Sequence, residues 1–109
     1  MANTFKLKTK ANVGVTTVGI YTAPAATTTV VIGITLANTS GSGVNVGVGI
    51  TRAGTTEDVK LLKNAPIPQW SSLEIMGGNK VVLESTDTVT VDSDTNNSVD
   101  ASLTIMEIT

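Results

Sequence analysis

Two runs decide how this sequence is read. The first is Thr28-Thr29-Val30-Val31-Ile32-Gly33-Ile34-Thr35-Leu36-Ala37-Asn38, and the second is Val44-Asn45-Val46-Gly47-Val48-Gly49-Ile50-Thr51. In the first, Val30, Ile32, Ile34 and Leu36 fall on one side of an extended chain, with Val31, Gly33 and Thr35 on the other. In the second, Val44, Val46, Val48 and Ile50 oppose Asn45, Gly47, Gly49 and Thr51. A period of two is the signature of a strand with one buried face. Asn38-Thr39-Ser40-Gly41-Ser42-Gly43, which closes the first run, has the composition of a turn, so the two runs are expected to pair as a long antiparallel hairpin. Gly47 and Gly49 leave one face of the second run without side chains. That face is expected either to be crossed closely by another backbone or to meet another subunit.

The same alternation extends outward in both directions. Phe5 and Leu7 alternate with Lys6 and Lys8, which predicts a first strand over Thr4–Thr9 with one apolar face. Val13-Gly14-Val15 and Val18-Gly19-Ile20-Tyr21 follow with a change of phase that implies a bulge or bend. Ala23-Pro24 ends that run, because proline cannot donate to a ladder. Downstream, Arg52–Asp58 reads as a turn and Asp58–Lys63 as a less regular strand. Asn64-Ala65-Pro66-Ile67-Pro68 reads as an irregular connection that excludes a central strand. Trp70–Met76 is a further expected strand with Leu73 and Ile75 inward, and Gly77-Gly78-Asn79 has hairpin-turn chemistry. Lys80–Glu84, Thr88–Asp92 and Ser98–Ile108 complete the set, the last with Val99, Ala101, Leu103 and Ile105 on one side. Short strands with turns at roughly 8–12-residue intervals predict an all-β fold, a single antiparallel β-sandwich or jelly-roll-like barrel of about eight strands. A chain of 109 residues without a dividing linker is expected to form one domain, residues 1–109.

Composition excludes several classes of chemistry. The chain has no histidine and no cysteine, which removes the commonest general base, the commonest metal ligand, disulfides and thiol nucleophiles. A net charge of −2 with scattered lysines offers no stripe for a phosphate backbone, so no nucleic-acid partner is expected. No apolar run approaches the ~20 residues of a membrane helix, and residues 1–10 lack the apolar core of a signal peptide. The absence of disulfides leans toward cytoplasmic synthesis. Only 3% of the residues are aromatic, too few to line a sugar-binding groove.

Against that background the candidate motifs fall short of a site. Asp92-Ser93-Asp94-Thr95-Asn96 resembles the start of a calcium loop, but the glycine is missing and Leu103 stands where the bidentate glutamate belongs; a plain loop is expected. Gly41-Ser42-Gly43 and Gly77-Gly78 precede no helix and therefore form no phosphate cradle. Glu57, Asp58, Glu74, Glu84, Asp87 and Asp100 are the carboxylates from which an acid–base pair would have to come, and their turn and solvent-face positions argue against one. No catalytic residue, metal ligand or cofactor is therefore assigned. Trp70, just after Pro68, is either a cap on one end of the sandwich or an interface anchor. It joins Gly47 and Gly49 as the candidate contact residues.

Three stretches carry a resemblance. They are Tyr21–Ile34 with Leu36–Ser42, Lys63–Pro68 with Ser71–Glu74, and Lys80–Glu84 with Asp87–Val91, and the chain then closes on Val99–Ile108. Over residues 18 to 108 this resembles small virion structural proteins of tailed bacteriophages, notably phages of aquatic bacteria and cyanobacteria. Gln69-Trp70 departs from the pattern, where a small residue such as glycine would be expected after Ile67-Pro68. The resemblance implies a non-enzymatic particle component in the virion, in head decoration, neck or tail. Its partners would be other virion proteins and further copies of itself, a trimer being the expected oligomer. A carbohydrate-binding or host-adhesion module is the alternative.

Overall fold

The computed structural model describes residues 3–52, 57–75 and 80–109. It contains nine strands: β1 (Asn3–Val13), β2 (Val18–Thr22), β3 (Thr28–Asn38), β4 (Val44–Arg52), β5 (Glu57–Ile67), β6 (Ser72–Glu74), β7 (Val81–Leu83), β8 (Thr88–Ser93) and β9 (Val99–Ile108). They form two antiparallel sheets. One has the order β1-β9-β3-β6 with β7 also on β3, and the other has the order β2-β8-β4-β5. Both β6 and β7 run antiparallel to β3, against residues 35–37 and 29–31 respectively, so together they form one interrupted edge strand. Counted that way there are eight strands, and the pairing is that of a long hairpin rolled up: β4 with β5, β3 with β6 and β7, β2 with β8, β1 with β9. This is a jelly-roll β-sandwich.

That pairing corrects the expected hairpin between the runs quoted first. β3 and β4 lie in opposite sheets. The ladder positions beside β3 are taken by β9 and by β6 and β7, and those beside β4 by β8 and β5. Alternation identifies both as half-buried strands, but a five-residue turn serves equally to join neighbours in a sheet or to carry the chain between layers. The Gly77-Gly78-Asn79 turn lies outside the described residues, yet the strands flanking it run in the same direction along β3, so they do not pair as a hairpin. The prolines exclude a central strand as expected, but residues 64–67 are not irregular. β5 continues through Pro66 to Ile67 as the edge of its sheet, where a missing N–H is tolerated. The strand expected over 70–76 shrinks to Ser72–Glu74, and Trp70 stands in the turn before it.

The core lies between the sheets. Val31, Ile34, Leu36, Leu103 and Ile105 from one sheet meet Val46, Val48, Ile50, Val89 and Val91 from the other, all buried. Valine and isoleucine fill most of it, as their preference for a pleated surface requires. The phase of β3 shifts at a bulge between Val31 and Gly33. Thr29 and Val31 are buried before it, Ile34 and Leu36 after it, and Val30 and Ile32 are only partly covered. The expected single face of Val30, Ile32, Ile34 and Leu36 is thus split in two. Gly33 was the local sign of that break, since glycine inside a strand often marks a bulge.

β1 reverses its expected phase entirely. Phe5 and Leu7 are 69% and 65% exposed, while Lys6 and Lys8 turn toward Glu107 and the Tyr21 ring. At this end of the sandwich the inner side is polar, so the lysines have partners inside and the apolar residues face out.

Gly47 and Gly49 are buried on the outer side of β4. A Cβ at Gly49 would stand 2.8 Å from the carbonyl oxygen of Val59, and one at Gly47 would stand 2.6 Å from Asp92 Oδ1. The bulged β5 leans over both positions. Gly49→Ala is expected to destabilise the fold by about 1–3 kcal/mol, because backbone must move to admit the methyl group. A urea midpoint equal to that of the parent protein would show that β5 does not hold this close approach.

Candidate functional site

The carboxylates are distributed as structural ties. Asp58 accepts from Thr51 Oγ1 at 2.9 Å, Glu74 from Thr35 Oγ1 at 2.8 Å, and Asp100 from the Asn12 amide at 3.0 Å. Arg52 pairs with Glu84 and, through Nε at 3.0 Å, with the buried Asp87, whose carboxylate also accepts the Glu84 amide at 3.0 Å. The side chain of Glu57 lies outside the described residues. Arg52 is thus tied to both Glu84 and Asp87, and the two carboxylates serve as its structural partners.

In the loop after β8, the acceptors diverge. Asp92 takes the Thr17 hydroxyl at 3.0 Å, Asp94 takes the Asn45 amide at 3.1 Å, and Asn96 takes the Val15 amide at 3.5 Å. Asp92 and Asn96 fasten the connection between β1 and β2, Asp94 fastens the start of β4, and each oxygen is engaged by its own donor. Among the described residues no group of three or more Asp, Glu, His or Cys side chains could hold a metal ion. Nor is any helix there long and apolar enough to cross a membrane.

The densest polar cluster sits inside the β1 end. Tyr21 donates to Glu107 Oε2 at 2.5 Å and accepts from Thr29 Oγ1 at 2.9 Å, and Lys6 Nζ lies 2.8 Å from Glu107 Oε1. Burial, and then the hydrogen bond to Glu107, push the Tyr21 phenol up to about 12. The Lys6 hydrogen bond first, and the Tyr21 hydrogen bond second, hold Glu107 below its ordinary range. A phenol that resists ionisation and a carboxylate with both oxygens engaged are poor catalysts. Their effect is to fasten β1, whose outward side chains bury almost nothing.

The sign of the pH dependence follows. A depressed carboxyl value contributes stability above the unfolded value, near 4.5, and that contribution is lost as pH falls through the folded value. Glu107→Gln is therefore expected to lower the urea midpoint at pH 7 and to differ progressively less from the parent protein below pH ~4. A gap between the two that stays constant with pH would contradict this tie.

The end of the sandwich bearing Trp70 is built differently. Asn38 is 3% exposed. Its side-chain amide reaches the carbonyls of Ser42, Ile67 and Pro68 at 2.9, 3.0 and 3.1 Å, and its Oδ1 accepts from the amide and hydroxyl of Ser40. One residue thus fixes both the loop of residues 39–43 and the chain leaving β5. Against this frame Trp70 stands 69% exposed with φ of 58°, and a Cβ on Gly41 would lie 3.6 Å from its indole. The indole therefore caps nothing. A left-handed position of this kind favours a small residue, glycine above all, since a side chain in that region costs about 1–2 kcal/mol.

Sequence reasoning singled out Trp70 and missed Asn38, which reads as an ordinary turn asparagine. Its burial depends on the chain returning at Ile67-Pro68, which nothing local announces. Trp70 and the Gly47–Gly49 stretch are not brought together: the first projects from one end, and the second lies beneath β5.

Neither family models nor curated proteins match this chain. Solved structures share its fold, among them the following two. One is from Bacillus endospore appendages, described as a family of disulfide-linked pili. It has a TM-score of 0.58 and 15% identity, over 99% of this chain and 87% of that one. The other is from the IBDV T13 viral particle, with a TM-score of 0.60 and 10% identity, over 96% of this chain and 30% of that one. The chain thus spans less than a third of the viral chain, and at these identities the likeness shows the jelly-roll architecture that the chain has in common with a pilus protein and a viral particle protein.

Proposed function

We propose that this chain is a non-enzymatic structural protein that assembles by protein–protein contacts, as a component of a tailed-phage particle in head decoration, neck or tail. The observation that carries the reading is Trp70: a large indole held in solvent at a strained left-handed position. Ala26 and Thr86 share the left-handed backbone in other turns; what sets Trp70 apart is its exposed indole, a characteristic interface anchor. Ionisable groups at the polar clusters are consumed in structural ties, which leaves surface as the working part of the molecule. The structural neighbours, one from a pilus and one from a viral particle, fit the same role. Disulfides link the pili, whereas this chain has no cysteine, so its contacts do not use disulfides.

Trp70→Gly separates folding from function. Relief of the left-handed strain and the greater freedom of glycine in the unfolded chain offset each other, so stability is expected to change by less than about 1 kcal/mol. Co-sedimentation with particles of the encoding phage that lack the chain is expected to weaken by at least about tenfold, the ordinary consequence of deleting an aromatic anchor. Undiminished attachment of the Trp70→Gly variant would remove Trp70 from the contact.

A further inference from the structure

β1 is joined to the fold along one side. It forms a ladder with β9 over Asn3–Lys10, and among the described strands β9 is its one partner. None of residues 3–12 is buried, and only Lys8 is even partly covered. Beyond the ladder, Lys6 pairs with Glu107 and the Lys8 ammonium lies 6.0 Å from the centre of the Tyr21 ring. β5, the other long edge strand, is held differently: Leu62, Ala65 and Ile67 pack against the core.

The attachment changes abruptly after Asn12. Val13 is 1% exposed, its carbonyl accepts the Ser98 amide at 3.1 Å, and the Gly14 carbonyl accepts the Ser93 amide at 2.9 Å. The chain is therefore pinned where β8 ends and β9 begins. Between this pin and the ladder lie Ala11 and Asn12. The register breaks across them, Asn12 adopts a left-handed φ of 59°, and its amide donates to Asp100 Oδ1 at 3.0 Å. A short hinge held in a left-handed conformation, between a pinned segment and an unburied strand, is an arrangement that invites strand exchange. Opening it breaks the β1–β9 ladder and the Lys6–Glu107 pair but draws no buried side chain out of the core.

The vacated edge of β9 specifies its occupant. It presents the main-chain groups that faced Asn3–Lys10 and, on the inner side, the nearly buried Glu107 carboxylate, which takes a lysine. β1 of a second copy meets these requirements residue for residue. Reciprocal exchange regenerates the ladder and the ion pair between chains, so the open and closed forms differ chiefly in the hinge and in the entropy of association. High local concentration in an assembly reduces that entropy cost. We infer that residues 3–10 exchange between two copies of this chain, pivoting at Ala11–Asn12, so that each β1 completes the β9 edge of the other. The exchange rests on reading the chain as an assembly protein and names one of its partners.

Leu7 and Thr104 are directly opposed and both exposed, with Cβ atoms about 5 Å apart in such a pair, and the chain has no native thiol. Leu7→Cys/Thr104→Cys, equilibrated and treated with a short bis-maleimide, is expected to give linked pairs of twice the chain mass at high micromolar concentration and internally linked single chains at low nanomolar concentration. A mixture of the two single variants, Leu7→Cys and Thr104→Cys, is expected to link at least about tenfold faster than either alone, because exchange holds the two thiols at high effective concentration. Thr9→Cys with Ser102→Cys, also directly opposed, provides the same readout if the first variants fold poorly. Links confined to single chains at both concentrations would overturn the inference, as would a mixture that links no faster than its components, the mark of chance collision. These measurements need no particle. Exchange without attachment to particles would sink the virion reading alone, and attachment by chains whose links stay internal would sink this inference alone.

Discussion

Asn38→Ala is expected to destabilise the protein by about 2–4 kcal/mol, and most of that loss is expected to come from groups that are not mutated. The asparagine amide satisfies the carbonyls of Ser42, Ile67 and Pro68, and its oxygen satisfies Ser40. Truncation leaves buried acceptors without donors, each costing about 1–3 kcal/mol when water cannot replace the partner. The upper end of the simple sum is not reached, because the loop of residues 39–43 is exposed enough for water to reach Ser42. Asn38→Asp is expected to be worse near neutral pH, since a carboxylate would face three carbonyl oxygens. Its folded pKa would be raised, so stability would be present in acid and lost as pH rises through that value. Urea denaturation of both variants at two pH values checks the argument. A loss below about 0.5 kcal/mol for Asn38→Ala, the level of an ordinary surface change, would show that Asn38 does not hold this end.

The second large effect compares two leucines. Leu103 is fully buried on the central strand β9, while Leu7 on the adjacent β1 is 65% exposed. Leu103→Ala is expected to cost about 2–5 kcal/mol, from lost transfer energy plus the cavity left between the sheets. For a domain of this size that lowers the melting temperature by on the order of 10–25 °C. Leu7→Ala, measured under conditions where the chain is monomeric, is expected to stay within about 0.5 kcal/mol of the parent. Equal losses for the two would mean that β1 turns its apolar face inward, as its alternation alone suggests.

That comparison locates the limit of what the sequence discloses. Alternating Val, Ile and Leu mark β4, β8 and β9 and the inward sets Val44–Ile50 and Val99–Ile105, because a half-buried strand imposes a period of two whatever lies next to it. Alternation carries no information about which side the core occupies. For β1 the choice is made by Glu107 and Tyr21, which lie 101 and 15 positions from Lys6 and reward a lysine on the inner side. Pairing partners are equally hidden. β3 and β4 are adjacent in sequence and lie in different layers, since the rolled hairpin is closed by long-range partners. Bulges shift phase without a strong local signal, as between Val31 and Gly33, although glycine there was a hint. At the candidate contact, Trp70 was legible as an anomaly of pattern. Its left-handed backbone and the Asn38 clamp beneath it belong to tertiary structure and left no such mark.

Mass spectrometry of highly purified particles of the tailed phage proposed to carry this chain tests the central claim most directly. The account predicts this chain in many copies per particle, retained through density-gradient purification, with Trp70→Gly particles depleted of it although the free variant folds normally. Particles that never contain the chain, while it accumulates folded and free in the infected cell, would contradict it.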